Sequence, residues 1–94
     1  MGVTSKSELI DETADHAGLT KRDTKRIVDA SLDFIKGALE RGERVVLTDF
    51  GTFEVRQRQA RRGVRPGTTE PIDIPASSYA AFRAAPLLKR RLGN

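Results

Sequence analysis

The sequence predicts an α+β fold: an N-terminal helical hairpin, a three-stranded antiparallel sheet extended into a long β-ribbon arm, and a short C-terminal helix. Three observations predict it. Apolar residues recur at helical spacing up to about residue 41, the period changes from Glu43 onward, and an arginine-rich stretch free of large apolar residues then runs into a Pro-Gly turn.

The first helix begins at "SKSE" (5–8), which reads as a capping box: Ser5 accepts from the Glu8 N–H while the Glu8 carboxylate reaches back. Leu9, Ile10, Ala14 and Ala17 follow at helical spacing, and Gly18 stops the helix. Thr20 caps a second helix, with Asp23 at the matching third position, that runs to about Arg41 and ends on Gly42. Its apolar side is broad. Val28, Leu32, Ile35 and Leu39 form one stripe, and Ile27, Ser31, Phe34 and Ala38 an adjacent one. One short helix cannot cover both, so the second stripe calls either for a second subunit or for a sheet beneath it.

Strands are expected at about 44–48 and 52–62, where Val, Phe and Thr dominate and Gly51 suits a tight turn. A turn near 64–68 contains Pro66 and Gly67, a favourable pair for a type II turn, and a strand returns at about 70–76. Phe50, Phe53 and Val55 supply apolar cover near Gly51, whereas the outgoing strand turns polar beyond Arg56. Pro71 brings no ladder donor and is expected to loosen the arm. Phe82 and the Leu87–Leu88 pair are assigned to a short final helix with Pro86 near its start and Lys89, Arg90 and Arg91 in its last turn.

The 94 residues leave room for one domain with a modest core, divided into helices at 1–42, a sheet at 43–83 with its arm at about 56–74, and a C-terminal helix at 84–94. The absence of cysteine excludes a disulfide scaffold and a thiolate nucleophile. No apolar run nears the ~20 residues of a membrane span and none near Met1 resembles a signal peptide, so a cytoplasmic protein is expected. The net charge of +4 is unevenly spread. Residues 1–55 hold eight Lys/Arg against eleven Asp/Glu, a net −3, and residues 56–94 hold nine against two, a net +7. Such asymmetry points to a polyanionic partner for the basic part.

No enzyme is legible. "DFG" at 49–51 matches a kinase magnesium loop in three letters only, without the glycine-rich loop or catalytic loop that a kinase needs. His16 is the only histidine and has no second ligand at metal-binding spacing, so neither a metal nor another cofactor is expected. The signal lies in "RQRQARRGVRPGTTEP" (56–71), with five arginines in ten residues. Arg56 and Arg58 share a face by alternation, and Arg61 and Arg62 supply both. Guanidinium forks suit phosphate oxygens. Pro66 is either simply a turn residue or an apolar wedge for a base step.

At this point the chain resembles a family. "SELI…AGLTKRD", "LERGERVVLTDFGTFEVRQR", "RRGVRPGTTE", "IPAS" and "AFRAAPLLK" are similar, in order and almost without gaps, to the bacterial histone-like HU and integration host factor proteins, closer to HU. The resemblance implies an intertwined dimer, a homodimer or a heterodimer with a paralogue. It also implies minor-groove binding of double-stranded DNA by two arms, bending with little sequence preference, and a nucleoid location. Carried over by position, Arg56, Arg58 and Arg61 are arm contacts, Pro66 is the intercalating tip, Arg83 and Lys89 lie on the saddle, and Lys6 lies near flanking DNA. Arg62, read from the residues, and Arg65, which stands at the family's Asn position, are expected as further DNA contacts. Phe50, Phe53, Phe82, Phe34 and Ile35 form the dimer core. Departures occur at the tip, where "VRPGTT" (64–69) stands for R-N-P-x-T-G, and at Ala84, Ala85 and Pro86, where the family has P-G-K. They bear on tip geometry, kink angle and phosphate contacts near residue 85.

Two other readings make different demands. Site-preferring recognition through DNA shape requires at least a tenfold preference for such a site. Single-strand or RNA binding requires stacking platforms, whereas the one tyrosine and four phenylalanines are assigned mostly to the core.

Overall fold

The computed structural model describes residues 2–93, which fall into two compact units divided between Gly37 and Ala38. In the first, α1 (Lys6–Ala17) starts where Ser5 Oγ accepts from the Glu8 N–H at 3.1 Å. The return bond from Glu8 is not among the hydrogen bonds of the described residues, so the capping box is half made. The helix ends on Gly18 at φ 70°, where the Leu19 N–H reaches Ala14 O at 3.0 Å. α2 (Lys21–Glu40) is capped by Thr20 Oγ1, 3.0 Å from the Asp23 N–H. Ile10, Ala14 and Thr24 are buried, and Thr24 satisfies its hydroxyl by donating to Thr20 O at 2.8 Å.

α2 closes with a Schellman motif: Glu43 N–H to Ala38 O and Gly42 N–H to Leu39 O, both 2.9 Å, with Gly42 at φ 78°. β1 (Val45–Leu47) then pairs antiparallel with β2 (Gly51–Arg58). Asp49 takes φ 67° in the connecting turn, a left-handed conformation that Asp tolerates better than most residues.

Two expectations change here. The outgoing strand is not one piece: β2 stops at Arg58 and β3 (Arg61–Val64) resumes, pairing with β4 (Pro71–Ile74). The third strand of the main sheet is β5 (Ser77–Ala84), giving the order β1-β2-β5. Phe82 therefore sits in a strand rather than in the final helix, and α3 is confined to Pro86–Arg91. "SSYAAFRA" is alanine-rich and lacks helix-excluding residues, so local propensity points away from a strand. Pairing all eight of its residues with β2 overrides that preference.

Hydrogen-bond phase explains the break. The Ala85 N–H donates to Phe50 O at 2.9 Å, so the alternation makes Arg56/Tyr79 and Arg58/Ser77 hydrogen-bonded pairs. At the far end the Arg65 N–H donates to Glu70 O at 3.0 Å, which makes Gly63/Ile72 and Arg61/Ile74 the bonded pairs. Arg61 lies three positions beyond Arg58, an odd step, so the two ladders are out of phase. Between them lie residues 59–60 and 75–76, outside either strand pair, and Pro75 there has no N–H to extend the inner ladder. Pro71 behaves differently. It faces Val64 in a non-bonded pair, so its nitrogen points away from β3 and no ladder bond is lost. The expectation that Pro71 loosens the arm is corrected.

Candidate nucleic-acid interface

The main sheet has two unlike faces. Phe53 lies opposite Phe82, and the Phe82 ring packs on Phe53 and Phe50 with centroids 5.0 and 5.4 Å apart. Alternation places Thr52, Glu54, Arg56 and Arg58 of β2, with Tyr79, Ala81 and Arg83 of β5, on the other face. Three sequence-predicted contact residues, Arg56, Arg58 and Arg83, thus share one surface.

Glu54 organises two of them. Its carboxylate accepts from Arg56 Nε at 3.0 Å and stands 3.7 Å from Arg83 Nη2, with little of its side chain exposed. The hydrogen bond from Arg56 holds the Glu54 carboxyl below its ordinary pKa against the cost of desolvation, helped by the charges of Arg83, Arg56 and Arg44. Arg58 makes no ion pair among the described residues; its guanidinium lies 4.6 Å above the Tyr79 ring. Tyr79 therefore belongs to the charged face and not to the aromatic cluster. Stepping back by alternation from Arg83 would have found it, had 77–84 been read as a strand.

On the arm, Arg62 faces Asp73 at 3.4 Å and Arg65 faces Glu70 at 3.7 Å, so the only two acidic residues of the basic half sit against arginines. Arg61 has no ion pair among the described residues. A Cβ at Gly63 would lie 2.9 Å from Ile74 Cδ1, the far end of a side chain that can rotate aside. The tip is the expected type II turn: the Thr68 N–H reaches Arg65 O at 3.0 Å around Pro66 and Gly67, with Gly67 at φ 78°. Thr68 Oγ1 also donates to Arg65 O at 2.9 Å and accepts from the Glu70 N–H at 3.2 Å. The altered tip sequence is thus internally tied, with Pro66 exposed at its apex.

Lys6 belongs to the helical unit, where its Nζ contacts Asp29 Oδ1 at 2.7 Å while Lys25 Nζ takes Oδ2 at 2.6 Å. The bond from Lys25, then that from Lys6, lowers the Asp29 pKa from 3.8 to about 2. A depressed carboxylate pKa stabilises the fold above the unfolded value and loses that contribution as pH falls through the folded one. Asp29→Asn should therefore be less stable than the parent chain at pH 6, with the gap closing between pH ~4 and ~2. Thermal melts across that range check this; a gap that persists at pH 2 refutes it.

Much apolar surface is left open. Ile27, Phe34, Val46, Phe50, Phe82 and Leu87 are exposed, while the buried hydrophobic residues among those described are Ile10, Ala14 and Ala38. Lys89, Arg90 and Arg91 are exposed on α3. Among the described residues no group of three potential metal ligands exists, and no helix is long and apolar enough to cross a membrane.

The family model for bacterial DNA-binding proteins matches residues 4–93. The chain belongs to this family, the HU family. DNA-binding protein HU of Thermus thermophilus is 50% identical over 88 residues, covering 94% of this chain and 91% of that one. The HU protein of Geobacillus stearothermophilus is 47% identical over 85 residues, covering 90% and 94%. Among solved structures, the Anabaena HU–DNA cocrystal structure aligns with a TM-score of 0.88 at 38% identity, over 96% of this chain and 98% of that one. HU from Thermotoga maritima aligns at 0.69 and 31% identity, over 95% and 98%. The family's members are DNA-binding proteins, not enzymes.

Proposed function

We propose that two copies of the chain form an architectural protein that binds double-stranded DNA with little sequence preference and bends it, the arms lying in the minor groove. The observation that carries this reading is the arm: a ribbon with cationic side chains on both faces, closed by a tied turn with a proline at its apex. Phosphate neutralisation by Arg56, Arg58, Arg61, Arg62 and Arg65, together with Arg83, Lys89 and Lys6 on the body, supplies an affinity that tolerates any sequence.

The second copy is what the exposed apolar residues call for. A protomer that leaves Phe34, Phe50 and Phe82 substantially exposed gains most by covering them with its own counterpart, and the half-buried Ile35 and Phe53 are read as further contacts of that kind. Identical subunits are the simplest arrangement; a paralogous partner fits the same surfaces. Such a protein works on chromosomal DNA, in the bacterial nucleoid within the cytoplasm.

Pro66 is read as a wedge. A rigid apolar ring without an N–H can enter a base step, trading a few kcal/mol of stacking for a bent duplex that contacts more protein, and HU and integration host factor are themselves standing examples of that exchange. Pro66→Ala is expected to bind a short duplex within about threefold of the parent chain yet draw its ends together less, since phosphate contacts carry most of the affinity. End-to-end energy transfer measures this. Equal bending by the variant would sink the wedge; absence of any duplex binding by the parent chain would sink the function.

A further inference from the structure

We propose that Tyr79 is a positioning residue for the DNA grip at the root of the arm, its ring holding the Arg58 guanidinium over its face in the free protein. The inference deepens the reading above and rests on it. Tyr79 sits directly opposite Arg56 on β5 and diagonal to Arg58, on the face away from Phe53 and Phe82. It is 37% exposed, and the Arg58 guanidinium lies 4.6 Å from its ring centroid. A stacked guanidinium keeps its in-plane N–H groups available for phosphate oxygens. Its side chain has then lost part of its rotameric freedom before DNA arrives, so less is lost on binding.

The arrangement divides the root of the arm into two devices. Arg56 and Arg83 are held by the carboxylate of Glu54, which lowers their effective charge while fixing their places. Arg58 is held by a neutral ring, so it is fixed with its full charge available. The Tyr79 hydroxyl also adds a lesser contribution to keeping Arg56 protonated, after that of Glu54.

The test is a coupling measurement. Tyr79→Val suits a strand and removes the ring. It should weaken binding to a random-sequence duplex about three- to fivefold at moderate salt, with the melting temperature unchanged, and have less than about a 1.5-fold effect when Arg58 is already alanine. Tyr79→Phe keeps the ring face and should bind within about 1.5-fold of the parent chain. Tyr79 is the only tyrosine and the chain has no tryptophan, so intrinsic fluorescence reports on it alone. Arg58→Ala should shift that emission in the free protein, and this readout stands even where Tyr79→Val melts early. Unchanged emission on Arg58→Ala, or an equal loss from Tyr79→Val in both backgrounds, overturns the proposal. A parent chain that binds no duplex at all instead refutes the functional reading on which it rests.

Discussion

Gly51→Ala is expected to lower the melting temperature by roughly 15 °C or more at fixed protein concentration, the largest stability effect of any single methyl group added to the chain. A Cβ at residue 51 would run into the Phe82 ring at Cζ and Cε1 and would stand 2.8 Å from the main-chain oxygen of Arg83. The ring packs on Phe50 and Phe53, so its displacement disturbs both contacts. The oxygen is part of the strand paired with β2, so moving it shifts the ladder that carries Arg56 and Arg58. Overpacking of this kind costs about 1–3 kcal/mol, here at its upper end because one of the two obstacles is main chain, and each kcal/mol is worth about 4–8 °C in a domain of this size. Adding Phe82→Leu should recover part of the loss, since it removes only one obstacle. Full recovery would mean that the strand yields and the ring alone mattered. A loss of only a few degrees from Gly51→Ala alone would contradict the close packing of β2 on β5.

Replacing both Arg58 and Arg61 by alanine should produce the largest change in DNA binding. Neither residue has an acidic partner among the described residues, so the charge of each is available to phosphate, unlike Arg56, which is shared with Glu54. Each neutralised phosphate contributes about 0.9 to the slope of log affinity against log salt, and a dimer carries every residue twice. Each substitution should therefore flatten the slope by up to about 1.8, and the pair by up to about 3.6, when both copies engage phosphate. Titrations of one duplex at several salt concentrations measure this directly. A weakened affinity with an unchanged slope would show that the residues act through shape or packing, and an unchanged affinity would move the grip elsewhere. Pro66→Ala, by contrast, removes no charge and should leave the slope where it is.

The helical unit was legible residue by residue because its signals are local. Ser5, Gly18, Thr20 and Gly42 act within five residues of themselves, and each does in the structure what its type and spacing announce. The tip was legible for the same reason, since a Pro-Gly pair dictates its own turn. The arginine run marked the arm without any knowledge of its pairing. What escaped was whatever depends on a partner strand. β5 reads as helix-permissive until β2 lies beside it. Pro71 and Pro75 look alike in sequence, yet one falls harmlessly in a non-bonded pair and the other ends a ladder. The face of Tyr79 could not be assigned without its strand.

Alone, then, the sequence determined the class of fold, the ends of the helices, the geometry of the tip and the concentration of positive charge in the second half of the chain. These follow from propensities and charges that a residue carries wherever it sits. Only the tertiary structure decided which strands pair, where the ladder changes phase, and which side chains hold each arginine: Glu54 for Arg56 and Arg83, Tyr79 for Arg58. The physical reason is that strand register and cross-strand neighbours are set by hydrogen bonds between residues about 20 to 30 positions apart, and no local preference records them.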